Sequence, residues 1–226
     1  MNVSMCMTRQ LITVTPDVLL TDAAALMTQK KVRRLLVAEP QAAGWRLRGI
    51  VTANDILHAF PPDMNPFAVI VNHSPAHSKL TVEKIMQRHL HTAPADAPIE
   101  EAATMMRNFK ISSLPVMRDK QLVGIITESD IFRAFVGLFE TQGSGARITF
   151  DVSSGEEDVF DLVVQLAKKH GVQVSSLFRT AREHQSFCVT RVIGEQVDSF
   201  LEEIWNSGHR VLNVIRFSPR EGGAEQ

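Results

Sequence analysis

The sequence predicts a chain of the α/β and α+β classes, with two β-α-β-β-α repeats that pack as a pair and a C-terminal β-α-β-β-α-β unit. Three observations support this prediction: an internal repeat within residues 4–138, a different pattern of strands and helices after residue 145, and a flexible break between them at Gln142–Gly145. The length of 226 residues leaves room for two or three small domains.

Two aligned blocks define the repeat. Thr13–Val37 aligns without gaps on Thr92–Val116, at an offset of 79 residues and with 8 identities in 25 positions. Further along, Gly49–Leu57 aligns on Gly124–Phe132 at an offset of 75 residues, with 5 identities in 9 positions. The two blocks occur in the same order and at nearly the same distance, so chance is a poor explanation of the match.

Each repeat is predicted to contain the same five elements. In the first copy, a short strand at Leu11–Val14 precedes a helix around Ala23–Met27, where apolar residues recur with a period near 3.6. Strands follow at Leu35–Val37 and Arg48–Val51, and a second helix begins at Thr52. A unit of about 55 residues buries too little apolar surface to be stable alone, so the two copies are expected to pack together.

The C-terminal segment follows a different pattern. Alternating apolar residues predict strands within 147–152, 172–178, 187–193 and 209–215. Two helices are predicted between them, one capped by Ser153 or Ser154 and one over Val197–Trp205. This order is the split arrangement of ferredoxin-like domains. The predicted divisions of the chain are 4–58, a proline-rich linker at 59–79, 80–138, 145–217 and a tail at 218–226.

The composition excludes several classes of protein. The formal net charge is −1, which gives no general attraction for nucleic acid. The apolar runs are far shorter than the ~20 residues that span a bilayer, and Met1–Gln10 lacks the pattern of a secretory signal. Two cysteines, Cys6 and Cys188, are too few for a disulfide framework or a four-thiolate zinc site. We therefore expect a cytoplasmic protein with reduced thiols and no membrane or nucleic-acid partner.

The sharpest repeated motif is Gly-x-x-Thr-x-x-Asp, which occurs as Gly49-Thr52-Asp55 and as Gly124-Thr127-Asp130. One interpretation is structural, because Thr-x-x-Asp at a strand-to-helix junction resembles a capping box. The other is functional: a helix N-terminus favours anions, the hydroxyl can donate to a phosphate, and the carboxylate can accept two ribose hydroxyls. The motif alone leaves both interpretations open.

A basic pair, Arg33-Arg34, precedes the second strand of the first repeat. It is either a solvated turn or a clamp for phosphate, which guanidinium groups bind in a bidentate manner. The second copy has Ser112-Ser113 at these positions. If both repeats face one cleft, the two halves are chemically different, and the first-copy group of Thr52, Asp55, Arg33 and Arg34 is the better candidate for a phosphorylated ligand.

With these motifs, residues 4–58 and 80–138 resemble a tandem pair of cystathionine-β-synthase (CBS) domains, a regulatory module that often binds adenine nucleotides. The resemblance implies that the Thr and Asp of each block hold phosphate and ribose and that the basic pair reaches phosphate. It also implies that apolar residues near the first strand and before the second enclose adenine, here Val14, Val32, Ala93 and Ile111. Leu36 departs from the proline that is usual at this position and present at Pro115.

Residues 145–217 resemble an ACT domain, a module that commonly binds amino acids or other small effectors. The resemblance rests on the element order, on Gly155 after the first strand and on the helix exit at His170-Gly171-Val172. Ser154 replaces the usual proline, and the three acids at 156–158 favour a helix start but would repel a ligand carboxylate. Two CBS repeats followed by an ACT domain is the arrangement of the acetoin-utilisation accessory protein family.

The sequence therefore predicts a non-enzymatic sensor that binds AMP, ADP, ATP or another adenosine compound such as S-adenosylmethionine between the CBS repeats. Occupancy would be relayed to the ACT-like domain or to a regulated protein partner, and the resemblance implies a homodimer. The alternatives are an interaction module without nucleotide, or effector sensing by the ACT-like domain only. No cofactor, catalytic residue or metal site is predicted, and His73, His77, His89 and His91 are interpreted as solvated loop residues.

Overall fold

The computed structural model describes residues 1–42, 44–61, 65–67, 79–139, 143–153, 159–182 and 185–218. The chain divides into two compact units, Met1–Ala134 and Phe135–Gln226. Several sequence predictions lie outside the described residues: the cap at Ser154, Gly155 with the three acids that follow it, and His73 and His77 of the linker.

The first unit contains both repeats, apart from the last three residues of the final helix of the second repeat. The first repeat consists of α1 (Val3–Cys6), β1 (Thr13–Val14), α2 (Leu20–Lys30), β2 (Arg34–Gln41), β3 (Gly44–Thr52) and α3 (Ala53–His58). The second consists of α4 (Val82–Ile85), β4 (Ala93–Pro94), α5 (Ile99–Phe109), β5 (Ser113–Arg118), β6 (Gln121–Thr127) and α6 (Glu128–Gly137). The predicted β-α-β-β-α order is confirmed in both copies, and each copy also begins with a short helix that the sequence analysis did not predict.

Each repeat forms a small three-stranded sheet, in the order β1-β2-β3 and β4-β5-β6. The first two strands of each sheet are parallel and the second pair is antiparallel. Helix α2 crosses between the parallel strands and buries Leu20, Ala23, Ala24 and Met27, the apolar face that the period of 3.6 predicts. Strand β3 ends at Thr52 and β6 at Thr127, so α3 and α6 each begin directly at the carboxyl end of a strand.

The two repeats exchange their first helices. Val82 and Met86, from the start of the second repeat, belong to the buried core of the first. Val3 and Met7, from the start of the first repeat, belong to the core of the second. Each exchanged segment thereby buries its apolar residues in the other repeat, which explains physically why the two copies pack as a pair.

The glycines of the repeated motif lie where the exchanged segments cross the sheets. A Cβ atom on Gly49 would stand 2.8 Å from the carbonyl oxygen of Gln87 and 2.9 Å from the sulfur of Met86. Gly124 faces Met7 and Thr8 in the same way. The glycine of each motif is therefore required for close approach of the other repeat.

The second unit contains β7 (Gly145–Asp151), α7 (Val159–His170), β8 (Gln173–Arg182), β9 (Gln185–Ile193), α8 (Val197–Asn206) and β10 (Val211–Phe217). The strands form an antiparallel sheet in the order β10-β7-β9-β8, so the predicted order of elements is confirmed. The polar loop predicted between residues 178 and 187 is wrong in extent. Strand pairing continues to Arg182 opposite Gln185. The sequence resembles a loop here because an antiparallel sheet with one solvated face carries polar residues on that face.

The core of the second unit lies between the helices and one face of the sheet. It includes Ile148 and Phe150 of β7, Val163 of α7, and Phe200 and Ile204 of α8, all of them fully buried. Across the described ranges of the whole chain, no helix has both the length and the apolar character needed to cross a membrane.

Candidate functional site

Two cavities of the first unit are related by the internal repeat. The larger, of about 550 Å³, is lined by Lys31, Arg33 and Arg34 among others and is called the arginine cavity. The smaller, of about 210 Å³, is lined by His89 and His91 among others and is called the histidine cavity. Most residues of one cavity have their repeat equivalents in the other, so the two cavities are counterparts.

Apolar side chains form part of both cavities. The arginine cavity has Ile12, Val32, Leu36 and Ile125. The histidine cavity has Ile50, Leu90, Ile111 and Pro115. Each cavity thus combines an apolar wall with charged groups, which is the usual composition of a small-molecule site.

Local backbone geometry brings the basic pair to the arginine cavity. Lys31 ends α2 in the left-handed conformation, with φ of 54°, and turns the chain before β2 begins. The carbonyl oxygen of Arg33 then accepts a hydrogen bond of 2.9 Å from the amide of Ala53 at the start of α3. Lys110 ends α5 in the same conformation in the second repeat and lines the histidine cavity.

Arg34 lies between the two cavities and lines both. Its Nη2 donates a hydrogen bond of 2.9 Å to the hydroxyl oxygen of Ser112, across the two repeats. Burial lowers the pKa of Arg34, the nearby carboxylate of Glu128 raises it, and the neighbouring Arg33 lowers it. Because a guanidinium group starts from a very high pKa, Arg34 stays charged near neutral pH.

The structure divides the group predicted for a single first-copy site. Arg33 lines the arginine cavity with Thr127 of the second repeat, and Thr52 lines the histidine cavity. Arg34 lines both cavities, and Asp55 lines neither. Arg34 pairs with Thr52 in the β2–β3 ladder, but its side chain extends toward Ser112. Each cavity therefore takes its threonine from one repeat and the residues before the second strand from the other.

Both Thr-x-x-Asp motifs form capping boxes. The backbone amide of Thr127 donates to Asp130 Oδ2 at 2.9 Å, and the Asp130 amide donates to the Thr127 hydroxyl oxygen at 3.3 Å. The Thr127 hydroxyl also donates to Asp130 Oδ2 at 2.7 Å. Thr52 and Asp55 make the same three bonds, so both motifs cap their helices.

This capping geometry limits what the motif can offer a ligand. A threonine hydroxyl has a single proton, and in both motifs the adjacent aspartate accepts it. The charged donors that face the arginine cavity are therefore Lys31, Arg33 and Arg34. These residues are suited to bind an anion such as phosphate.

Comparison with known protein families assigns the fold. A family model for the CBS domain matches residues 3–62 and 82–137, which together make up just over half of the chain. The chain belongs to the CBS-domain family. CBS-domain pairs are typically regulatory. The match ends at residue 137, so the resemblance of residues 145–217 to an ACT domain stays a prediction.

Relatives of this CBS chain include enzymes and separate CBS pairs. L-aspartate semialdehyde sulfurtransferase of Methanocaldococcus jannaschii is 31% identical over 127 residues, which are 56% of this chain and 21% of the enzyme. A Vibrio cholerae protein named as an acetoin utilisation protein, AcuB, has a crystal structure with a TM-score of 0.51 and 27% identity, over 62% of this chain and 93% of that chain. A Methanocaldococcus jannaschii protein named as a proposed archaeal homologue of g-AMPK has a TM-score of 0.50 and 27% identity, over 59% and 47% of the two chains.

The first curated relatives are much longer than the matched region. The chain spans from 21% to 35% of their lengths. The similarity therefore concerns the CBS pair and gives no grounds for assigning the activity of the longer enzymes.

The residues predicted to enclose adenine fall into two groups. Val32 lines the arginine cavity and Ile111 lines the histidine cavity. Val14 and Ala93, in contrast, are buried in the cores of the two repeats. Asp130 is only 5% exposed.

Three residues not predicted from the sequence to be in a ligand site are His89, His91 and Lys110. They line the histidine cavity, together with Ser112 and Ser113. The offset of 79 residues was a usable signal, because it makes Lys110 the equivalent of Lys31. Within the described part of the chain, no group of three or more His, Cys, Asp or Glu side chains could hold a metal ion.

The second unit has a cavity of its own, of about 720 Å³. It lies where the starts of β7 and α8 meet the end of β10, and Gly194, Glu195 and Phe217 contribute to it. Asp198 and Arg216 also line this cavity and form an ion pair with each other.

Proposed function

We propose that the protein is a non-enzymatic regulatory sensor that binds an adenine nucleotide in the arginine cavity. The observation that carries the proposal is the approach of Lys31, Arg33 and Arg34 to one apolar-walled cavity at the start of α6. Three cations at this position suit a phosphorylated ligand, and Glu128 is the one carboxylate among the described lining residues. The volume of about 550 Å³ lies within the ~300–1,000 Å³ range of small-molecule pockets.

In the proposed complex, the nucleobase lies against Val32 and the neighbouring apolar side chains, and the phosphates lie against the arginine pair. Asp130, which follows the lining residue Ser129, is the proposed ribose acceptor through Oδ1. Because Asp130 is only 5% exposed, this role requires its exposed partner Arg133 to move aside. The Oδ2 of Asp130 already accepts both bonds from Thr127, whereas Oδ1 accepts one bond of 3.1 Å from Arg133. An ionised carboxylate oxygen can accept a second hydrogen bond.

The positive charge of the arginine cavity predicts a ranking of adenosine ligands by affinity. AMP, ADP and ATP carry increasing negative charge, which three cations attract increasingly. S-adenosylmethionine carries a sulfonium and an ammonium group against one carboxylate, so its net charge is positive. We therefore propose a nucleotide, with affinity rising from AMP to ATP, rather than S-adenosylmethionine.

Calorimetric titration of AMP, ADP, ATP and S-adenosylmethionine tests this proposal. Arg33→Gln should weaken nucleotide binding by about tenfold or more, because a hydrogen bond to a charged group contributes about 1.5–3 kcal/mol. Arg46→Gln is the matched control, since Arg46 is exposed and lies outside the two cavities. Absence of binding by all four compounds rejects the adenosine sensor, and equal binding by Arg33→Gln rejects this cavity.

The completed capping boxes favour a second candidate, an interaction module without nucleotide. In that case both Thr-x-x-Asp motifs serve only to cap α3 and α6, and the same titration gives no heat.

Effector binding by the proposed ACT-like domain, residues 145–217, would use the cavity of the second unit. The similarity to AcuB supports a role related to acetoin utilisation. A cytoplasmic location, a homodimer and a regulated protein partner remain parts of the proposal.

A further inference from the structure

The histidine cavity differs from its counterpart in both charge and size. Ser112 and Ser113 take the positions of the arginine pair, and His89 takes the position of Gln10. His91 stands where the first repeat has Ile12. The volume of about 210 Å³ is below the ~300 Å³ at which pockets for drug-sized ligands begin. The cavity therefore suits a ligand much smaller than a nucleotide.

The lining of the histidine cavity is rich in hydrogen-bond donors. Lys110 and Arg34 supply positive charge, and Ser112 is among the residues that supply hydroxyl groups. The two imidazole rings each have at least one N–H group in either charge state. Among the described lining residues there is no carboxylate. The nearby carboxylate of Asp55 already accepts one hydrogen bond through Oδ1 and another through Oδ2, which offsets part of its charge. This set of groups complements a small oxyanion.

Arg34 connects the two cavities physically. It lines both of them. Its guanidinium group donates at 2.9 Å to Ser112, which also lines both cavities, so the group stands within reach of either one. An anion in the histidine cavity would hold the guanidinium group there. The nucleotide phosphates in the arginine cavity would then lose one of three cations and would face a second anion nearby.

We propose that the histidine cavity binds a small oxyanion such as inorganic phosphate, and that this anion weakens nucleotide binding at the arginine cavity by holding Arg34. The second half of the proposal rests on the proposed function, whereas the first half does not. The two sites are then negatively coupled through one shared side chain. Typical coupling between two sites changes affinity by about 5- to 150-fold.

The test is an ADP titration at increasing inorganic phosphate, with the ionic strength held constant by sodium chloride. The expected result is that the apparent Kd for ADP rises about fivefold or more and then reaches a plateau, because coupling saturates when the second site is full. Lys110→Gln and His89→Gln should each reduce the rise. His89→Gln is a matched substitution, because glutamine occupies the equivalent position in the first repeat.

Lys31→Gln is the control, since Lys31 is the equivalent of Lys110 in the arginine cavity. It should weaken ADP binding but preserve the relative effect of phosphate. Simple competition by phosphate in the arginine cavity would raise the apparent Kd for ADP without a plateau and by the same factor in wild type, Lys110→Gln and His89→Gln. That result would overturn the proposal, and so would an apparent Kd that does not change with phosphate. If ADP does not bind, the proposed function fails separately. Direct phosphate binding to wild type and to Lys110→Gln, followed by phosphorus-31 NMR, then still decides the first half.

Discussion

Replacing Gly49 with alanine tests the exchange of segments between the CBS repeats. The new methyl group would stand 2.8 Å from the carbonyl oxygen of Gln87, a distance that forces the two chains apart. That carbonyl is held by the amide of Ile50 at 3.0 Å, and the Gln87 amide donates to the Ile50 carbonyl at 2.9 Å. Overpacking costs about 1–3 kcal/mol, and weakening two hydrogen bonds adds up to about 1 kcal/mol each. We expect a loss of about 1–5 kcal/mol in the free energy of unfolding.

Urea unfolding followed by the fluorescence of Trp45 measures this loss in the first unit. The background for the measurement is Trp205→Phe, because Trp205 lies in the second unit and is 58% exposed. Gly137→Ala is the control for a glycine-to-alanine change as such: a Cβ atom there meets nothing within 4 Å. Gly137 belongs to the second unit, so the unfolding reported by Trp45 should stay at the background value. If Gly49→Ala is as stable as Gly137→Ala, the close approach of the exchanged segment is refuted.

Two further predictions concern the second unit. Burial raises the pKa of the Cys188 thiol to about 11. A thiol reagent near pH 8 should therefore label the partly exposed Cys6 in the native protein and leave Cys188 unmodified. Rapid labelling of Cys188 would contradict its burial. A hydrogen bond from Lys169 is the main cause that lowers the pKa of Glu203, and a bond from His170 adds to it. The stability from this depressed pKa is present above the unfolded-state pKa of Glu203 and is lost as the pH falls through the folded-state pKa. The free energy of unfolding should therefore fall less steeply with decreasing pH for Glu203→Gln than for wild type. Identical slopes in the acid range would contradict the prediction.

The sequence was sufficient to predict the repeat and the order of its elements. Identities at a constant offset and apolar periodicity are local signals, and they predicted α2, β3 and the order of elements along the second unit. The capping boxes were also visible, because Thr52 and Asp55 have the required spacing at a strand-to-helix junction.

The exchange of α1 and α4 could not be predicted from these local signals. The apolar residues Val3 and Val82 predict that both segments are buried. Nothing in either segment indicates whether it packs in the core of its own repeat or in that of the other. The same ambiguity explains why the sequence predicts Arg33 beside Thr52, whereas the structure has it beside Thr127 in the arginine cavity. Two equivalent repeats offer two pairings, and only the three-dimensional packing chooses between them.

A crystal structure of the protein grown with ADP tests the central claim most directly. The account predicts phosphate oxygens within hydrogen-bond distance of Arg33 and Arg34, with the base against Val32 in the arginine cavity. A diphosphate bound beside Thr52 in the histidine cavity, or an arginine cavity without nucleotide at saturating ADP, would contradict it.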